Sequence, residues 1–130
     1  MVSYNLDSNI FSAYLKGSEL IKTKVLQESL CNEISISAIV YYEIKRGLLN
    51  KKAYKYKRFL GLIKSFNIIL YEELNIFDIA SEIAQYFPMI NNNYRDDDIL
   101  IAALCISKNM CLVSNDSDFD NVPDLKRENW

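Results

Sequence analysis

Apolar residues along this chain follow two spacings. Short apolar runs are typical of buried strands, whereas apolar residues three or four positions apart are typical of helices. The short runs predict strands near residues 2–6, 34–36, 67–71, 110–114 and 126–130. The helical spacing predicts helices near residues 8–16, 20–30, 38–48, 51–65, 74–87 and 98–106. Strands that alternate with helices indicate an α/β domain.

Such an alternation predicts a three-layer α/β/α architecture, in which a central, mostly parallel sheet of four to five short strands has helices on both faces. The chain has 130 residues, of which 50% are hydrophobic, so we expect one domain over residues 1–130. Residues 99–106 are apolar on all sides of their helix, which predicts a central, buried position. Asp96 or Asp97 is expected to cap that helix.

Four carboxylates that are far apart in sequence lie next to these apolar segments. Asp7 follows the first predicted strand, and Asp116 follows the fourth, with Asp118 close behind. Glu43 and Asp98 lie in the first halves of predicted helices. Because sites in parallel sheets form at the carboxyl ends of strands, these side chains can converge. Like charges held together are costly, and a divalent cation is the usual compensation.

The chain contains no histidine. This absence excludes Ser-His-Asp and Cys-His catalysis, zinc sites of the H-E-x-x-H type and histidine acid–base chemistry within the chain. Carboxylates, lysine, tyrosine and bound metal remain as sources of reactivity. A set of hard oxygen ligands suits Mg²⁺ or Mn²⁺, which can activate water beside a phosphodiester.

Five short segments together resemble a known family. They are residues 6–10 (Leu-Asp-Ser-Asn-Ile), 36–47 (from Ile-Ser-Ala-Ile-Val-Tyr-Tyr-Glu to Gly), 98–103 (Asp-Ile-Leu-Ile-Ala-Ala), 112–119 (Leu-Val-Ser-Asn-Asp-Ser-Asp-Phe) and 128–130 (Glu-Asn-Trp). In order and spacing they resemble the PIN-domain ribonucleases, and specifically the VapC-type toxins of bacterial toxin–antitoxin pairs. The resemblance spans essentially the whole chain. Serine stands at positions 8 and 114, where the family often has threonine, so a hydroxyl is retained.

The resemblance implies which residues form the active site. Asp7, Glu43 and Asp98 take the three acidic positions of the family, and Asp116 takes the fourth. Asp98 is chosen over its acidic neighbours because the family's acid directly precedes the Leu-Ile-Ala-Ala-like run. Asp118 is kept as a supporting ligand. Asp7 and Asp98 are expected to bind Mg²⁺ or Mn²⁺ directly, while Glu43 and Asp116 complete the shell or orient water. The residues expected to donate hydrogen bonds around this site are Asn9 and Ser114.

The implied activity is metal-dependent endoribonuclease cleavage by a toxin, with transfer RNA as a plausible substrate. The resemblance also implies a homodimer and a cognate antitoxin whose tail lies across the active site. Two alternatives stay open, a non-catalytic PIN-like module that only binds a partner and a haloacid-dehalogenase-like phosphatase. The phosphatase requires a second aspartate two residues after the first, where this chain has Asn9. A receiver-type signalling module, which typically has paired acids after its first strand, fits no better.

Charge and cysteine content set the expected environment. The net charge is −2, yet basic residues and tyrosines are concentrated between residues 45 and 64. This stretch is either a solvated helix face or a contact surface for RNA phosphates or for an acidic antitoxin segment. The candidate contact residues are Lys45, Arg46, Lys51, Lys52 and Lys55.

Three cysteines without metal-binding spacing are expected to be buried, reduced thiols. With no membrane-spanning run, these features predict a soluble, cytoplasmic protein.

Overall fold

A parallel sheet forms the centre of the protein. The computed structural model describes residues 1–50 and 53–130, and within these ranges five strands pair in the order β3-β2-β1-β4-β5. Every pairing is parallel. The strands are β1 (Ser3–Leu6), β2 (Glu33–Ser37), β3 (Asn67–Ile69), β4 (Cys111–Val113) and β5 (Lys126–Glu128). The predicted α/β fold with a mostly parallel sheet is therefore confirmed.

Helices fill the connections between the strands. They are α1 (Ser8–Leu15), α2 (Glu19–Ser29), α3 (Ala38–Leu49), α4 (Ala53–Ile63), α5 (Leu74–Ile83) and α6 (Asp96–Ser107), with 3₁₀ segments at Ala84–Tyr86 and Ser117–Asn121. From β1, the chain adds β2 and then β3 on one side of the sheet. It then crosses back to add β4 and β5 on the other side of β1. The usual right-handed crossover of parallel strands is expected to place α1–α4 on one face and α5–α6 on the other.

Two helix boundaries illustrate how local chemistry sets the elements. Helix α3 begins after Ser37, whose hydroxyl accepts a hydrogen bond from the backbone nitrogen of Val40 at 3.2 Å, as an N-cap should. Helix α1 ends before Gly17, which has φ of +89°. Glycine reaches this left-handed region without steric cost, so the chain can turn directly into α2.

Helix α6 is the most deeply buried helix segment, as its all-round apolar pattern predicts. Residues 101–105 are fully buried, and they pack between the sheet and α5. The predicted cap of this helix is wrong. Arg95 occupies the N-cap position without a side-chain capping bond, and Asp96 and Asp97 lie inside the first turn. Acidic residues there interact favourably with the helix dipole, so they stabilise the helix start without capping it.

Other departures from the predicted elements are small. The predicted strand at residues 67–71 ends at Ile69, and the predicted helix at 74–87 changes to a 3₁₀ segment at Ala84. The buried-thiol prediction holds for Cys105 and Cys111 and is wrong for Cys31, which is exposed just after α2 ends. Cys31 lies beyond the end of α2, where the helical spacing of apolar residues stops. The sequence there does not indicate whether the thiol lies in the core or on the surface.

Candidate active site

The carboxyl edge of the sheet brings the predicted acidic residues together. Asp7 directly follows β1, and Asp116 lies three residues beyond β4, the strand that pairs with β1. Asp98 lies in the first turn of α6. Glu43, on α3, lines the same cleft as Asp98, and it is close enough to Asp7 and Asp98 for their charges to raise its pKa. The segments that carry these four residues are far apart in sequence, so only the fold brings them near one another.

Asp7 is the most buried of the four, with 4% of its surface exposed. Its Oδ1 accepts a hydrogen bond from the Ser8 backbone nitrogen at 2.8 Å, and its Oδ2 accepts one from the Ser114 hydroxyl at 2.8 Å. Ser114 Oγ in turn accepts a hydrogen bond from the Asp116 backbone nitrogen at 3.1 Å. Ser114 therefore links Asp7 to Asp116 and fixes the orientation of the Asp7 carboxylate.

Burial and mutual repulsion raise the pKa of Asp7. Burial is the larger cause, the hydrogen bonds from Ser114 and Ser8 oppose it, and the charges of Asp98 and Asp116 add to it. The net direction is upward because fixed hydrogen bonds only partly replace the water that a carboxylate loses. Without a cation the protein thus holds a carboxylate whose charged form is disfavoured.

Glu43 shows the same electrostatic cost more strongly. Burial, and after it the charges of Asp97, Asp7 and Asp98, raise its pKa to about 7. Within the described part of the chain, its Oε1 is buried and has no hydrogen-bond partner. A buried carboxylate oxygen without a donor is unfavourable, so this atom is suited to a ligand that brings positive charge or a proton.

We expect Glu43→Gln to stabilise the metal-free protein at high pH. A raised folded-state pKa means that the contribution of Glu43 to stability is lost as pH rises from about 4.5 to about 7. The variant should therefore be more stable than the wild type by about 1 kcal/mol near pH 8, after allowing for solvent screening, and the difference should shrink toward pH 5.

Urea unfolding with excess chelator at several pH values measures this difference. Glu82→Gln, at an exposed position of α5, makes the same chemical change away from the site and serves as the control. Equal stabilities of Glu43→Gln and wild type at both ends of the pH range would contradict the expected electrostatic cost.

Arg95 is the site residue that sequence reasoning missed. Its Nε and Nη2 donate hydrogen bonds to Asp98 Oδ2 at 2.9 and 2.6 Å, Nη2 also donates to Asp116 Oδ2 at 2.8 Å, and Nη1 donates to Asp118 Oδ2 at 2.5 Å. Although burial disfavours the charged guanidinium, these bonds raise the pKa of Arg95 above its ordinary value. The spacing of Arg95 and Asp98, three residues apart at a helix start, was the available signal.

A tight turn and an aromatic pair hold Arg95 in place. Asn91 and Asn92 have φ of 52° and 63°, a region that asparagine tolerates, and they form a tight turn closed by backbone hydrogen bonds between Ile90 and Asn93. The guanidinium carbon lies 5.8 Å from the centre of the Phe87 ring, which packs edge-on against Phe119 at 5.6 Å. The side chain of Arg95 is 12% exposed. Its position is therefore set by packing as well as by charge.

Asp116 and Asp118 differ in their surroundings. Asp116 Oδ1 accepts a hydrogen bond from the Asp118 backbone nitrogen at 2.9 Å, which starts the 3₁₀ segment Ser117–Asn121. The backbone of Asp116 is also bonded to Ser114, beside Asp7. The Asp118 side chain is more exposed, 41% against 31% for Asp116. Of the two, Asp116 is thus the one that hydrogen bonds connect to Asp7, through Ser114.

A cleft of about 410 Å³ opens beside Glu43 and Asp98, and Asp7 and Asp116 do not line it. It is lined by Glu43, Ile90 and residues 93–98. All candidate ligands are carboxylate oxygens, and the unpartnered Oε1 of Glu43 points to a missing positive group, so the donor set fits a hard divalent cation. Among the described residues, however, no three acidic side chains converge on one point as ligands. Arg95 lies between Asp98 and Asp116 instead.

A family model for the PIN domain matches residues 4–125. The chain belongs to the PIN domain family. This PIN domain is similar in structure to VapBC2 from Rickettsia felis bound to a DNA fragment from their promoter, with 26% identity, a TM-score of 0.84 and 99% of each chain covered. It is also similar to VapBC-1 from nontypeable Haemophilus influenzae, with 23% identity, a TM-score of 0.81 and coverage of 99% of this chain and 98% of the other.

A third similar structure is DNA-bound VapBC from Salmonella typhimurium, with 21% identity, a TM-score of 0.78 and coverage of 100% and 99%. No curated protein matches the chain in sequence. These matches confirm the resemblance that the motifs predicted, to PIN domains and to their VapC-type members. Over the described ranges of this PIN domain, no helix has both the length and the apolar character needed to cross a membrane.

The remaining candidate residues lie around the edges of the PIN domain site. Asn9 is exposed in the first turn of α1, and the hydrogen bonds of the described residues link its side chain to no carboxylate. Lys45 Nζ lies 3.3 Å from the Tyr41 hydroxyl, and the Arg46 guanidinium lies 4.9 Å from the centre of the Tyr42 ring. Lys51 and Lys52, together with the side chain of Lys55, fall outside the described residues.

Proposed function

We propose that this protein is the endoribonuclease toxin of a toxin–antitoxin pair and that it hydrolyses RNA phosphodiester bonds with a divalent cation, Mg²⁺ or Mn²⁺. One observation carries the proposal. Four carboxylates from four separate segments lie near one another at the carboxyl edge of the sheet of a PIN domain, and burial together with neighbouring negative charges raises the pKa of Asp7 and of Glu43. Hydrolysis by metal-activated water requires this arrangement and needs no histidine.

The residues that would hold the cation are Asp7, Asp98, Asp116 and Glu43. Bound there, the cation would lower the pKa of a water molecule and neutralise charge on the phosphate. Ser114 keeps the Asp7 carboxylate oriented through its 2.8 Å hydrogen bond. Glu43 Oε1, which is free of hydrogen bonds within the described residues, can accept a proton from the attacking water. Asp118 is proposed as a supporting ligand of the cation.

Partners follow from the same family relationship. The similar structures from Rickettsia felis, Haemophilus influenzae and Salmonella typhimurium are VapBC complexes, which supports a cognate antitoxin as the partner of this chain. The proposed substrate is structured RNA, with transfer RNA the first to test, and the proposed assembly is a homodimer. Lys45 and Arg46 follow Glu43 on α3 by two and three residues, so they are candidates for contact with RNA or with an acidic antitoxin segment.

A PIN-like module that binds a partner without catalysis is the second candidate. The observation that favours it is Arg95, since three ion pairs to Asp98, Asp116 and Asp118 already neutralise part of the acidic cluster. An interaction module has no need of a cation, whereas a nuclease of this type does. The two candidates therefore differ in their response to metal.

Metal dependence of RNA cleavage tests the proposal. We expect the purified protein, free of its antitoxin, to cleave at least one RNA of a panel that includes transfer RNA when Mg²⁺ or Mn²⁺ is supplied. Excess chelator should abolish cleavage, and added cation should restore it, because the carboxylates alone provide no nucleophile. Mapping the RNA ends after the chain is expressed in cells, with Asp7→Asn as the control, identifies the substrate. Cleavage that persists in chelator would reject the metal mechanism.

A further inference from the structure

The guanidinium of Arg95 donates to oxygens that are candidate ligands of the proposed cation. Asp98 Oδ2 accepts hydrogen bonds from two of its nitrogens, and Asp116 Oδ2 accepts one from Nη2. The other oxygen of Asp116 is bonded to the Asp118 backbone nitrogen. Asp116 therefore has both oxygens engaged, and Asp98 has one oxygen engaged twice. A cation on Asp98 Oδ2 or Asp116 Oδ2 would therefore have to share that oxygen with the guanidinium.

Arg95 and a divalent cation cannot share these carboxylates without cost. Mg²⁺ binds carboxylate oxygens at about 2.0–2.1 Å, so an ion on Asp98 and Asp116 would lie close to a guanidinium that donates to the same oxygens. Two positive groups at such a distance repel strongly in a partly buried site. The side chain of Arg95 is only 12% exposed, so water screens this repulsion poorly.

Asp118 offers Arg95 a position away from the metal ligands. It accepts its hydrogen bond from Nη1, whereas Asp98 and Asp116 are bonded to Nε and Nη2. Asp118 is the most exposed of the three carboxylates. If the guanidinium rotated and kept the Nη1–Asp118 bond, it would move toward the more exposed Asp118. The carboxylates of Asp98 and Asp116 would then be free to bind the cation.

We propose that Arg95 is an internal counter-ion that competes with the divalent cation for Asp98 and Asp116, and that Asp118 holds it when the cation binds. The inference rests on the proposed metal-dependent function and adds a means by which the chain regulates its own site. Without metal, Arg95 keeps the carboxylates together and the site is inhibited. With metal, Arg95 stays paired to Asp118. The concentration of free cation needed for activity is thus set partly by this one side chain.

Calorimetric titration of the metal-free protein with Mn²⁺ tests the competition directly. Arg95→Gln removes the competing charge, and we expect it to bind Mn²⁺ about tenfold more tightly than the wild type, or more. Arg95→Lys keeps the charge but cannot bridge three carboxylates at once, so it should lie between the two. Lys22→Gln, at an exposed position of α2, makes the same change in net charge and should bind Mn²⁺ as the wild type does.

Thermal unfolding gives a second measurement that does not depend on activity. Arg95→Gln should lower the melting temperature in chelator, because three carboxylates lose their counter-ion, and saturating Mn²⁺ should raise it by more than it raises that of the wild type. If Arg95→Gln proves too unstable to titrate, Arg95→Lys serves in its place. We expect Arg95→Lys to bind Mn²⁺ more tightly than the wild type and to gain more melting temperature from Mn²⁺, each by a smaller amount than Arg95→Gln.

The role of Asp118 is tested by introducing Asp118→Asn into the wild type and into Arg95→Gln. If it acts only by holding Arg95, Asp118→Asn should weaken Mn²⁺ binding in the wild type and have no effect in Arg95→Gln. If it ligates the ion, the loss should appear in both backgrounds, and the holding role assigned to Asp118 would be rejected.

The outcomes separate this inference from the proposed function. Unchanged or weaker Mn²⁺ binding by Arg95→Gln, in a protein whose wild type binds Mn²⁺, would overturn the competition and leave the metal-dependent nuclease standing. Absence of Mn²⁺ binding by wild type and by Arg95→Gln would overturn both. Equal binding combined with a loss of RNA cleavage in Arg95→Gln would mean that Arg95 contacts the substrate instead, which also overturns the competition.

Discussion

Replacement of Asp7 with asparagine is expected to reduce RNA cleavage at least about 100-fold while the protein stays folded. The carboxylate of Asp7 is oriented by Ser8 and Ser114, so its free lone pairs are aimed into the cluster. Asparagine has nearly the same shape but carries no charge, and its amide nitrogen is not a ligand for a hard cation. Asp98→Asn is expected to behave in the same way.

The fold should tolerate this change because the structure already disfavours the charged form of Asp7. Burial and the neighbouring Asp98 and Asp116 raise its pKa, so a neutral side chain relieves repulsion in the metal-free state. The melting temperature in chelator should therefore stay within a few degrees of that of the wild type. A pure loss of activity thus reflects chemistry and not unfolding.

Asp78→Asn provides the matched control, since Asp78 is exposed on α5 and undergoes the same chemical change. Rates should be measured by gel analysis of a defined RNA with Mn²⁺ present, on protein freed of contaminating nucleases. Cleavage by folded Asp7→Asn at the rate of Asp78→Asn would remove Asp7 from the catalytic site.

Replacement of Phe119 with alanine is expected to cost about 3–5 kcal/mol of folding free energy. Phe119 is 1% exposed and lies in the 3₁₀ segment Ser117–Asn121, with its ring edge-on to Phe87 at 5.6 Å. Removing the ring leaves a cavity under the turn that carries Asp116 and Asp118. The same cavity removes support from Phe87, on which the Arg95 guanidinium rests.

Phe77→Ala is the matched control for this truncation. Phe77 lies on α5 with 42% of its surface exposed, so its removal should cost about 1 kcal/mol or less. Urea unfolding curves in chelator give both values on the same scale. Similar losses for the two variants would mean that the 3₁₀ segment is not packed into the core as the structure has it.

Much of the fold was predictable because its signals are local. The alternation of apolar runs and helical spacing predicted the strands and helices, and the all-round apolar pattern predicted the buried position of α6. Family motifs further predicted that Asp7, Glu43, Asp98 and Asp116 belong together. Boundaries were less accurate, as at Ile69 and Ala84, because strand and helix ends depend on tertiary contacts more than on pattern.

The capping role assigned to Asp96 and Asp97 failed for a related reason. A run of three acidic residues before an apolar helix satisfies the capping pattern at several positions, and the pattern alone does not select one. In the structure the helix begins at Asp96, with Arg95 before it. The chain turns tightly at Asn91 and Asn92 shortly before this helix.

The amino-acid pattern alone was enough to predict an α/β domain, its family and an acidic site, since each rests on short motifs and on their order. The place of Arg95 could not be predicted in this way. Two of its three partners, Asp116 and Asp118, are 21 and 23 residues away in sequence. They reach it only because the chain turns back after α6 into β4, which brings the end of β4 beside the start of α6. Electrostatic competition at the site is therefore a property of the tertiary structure.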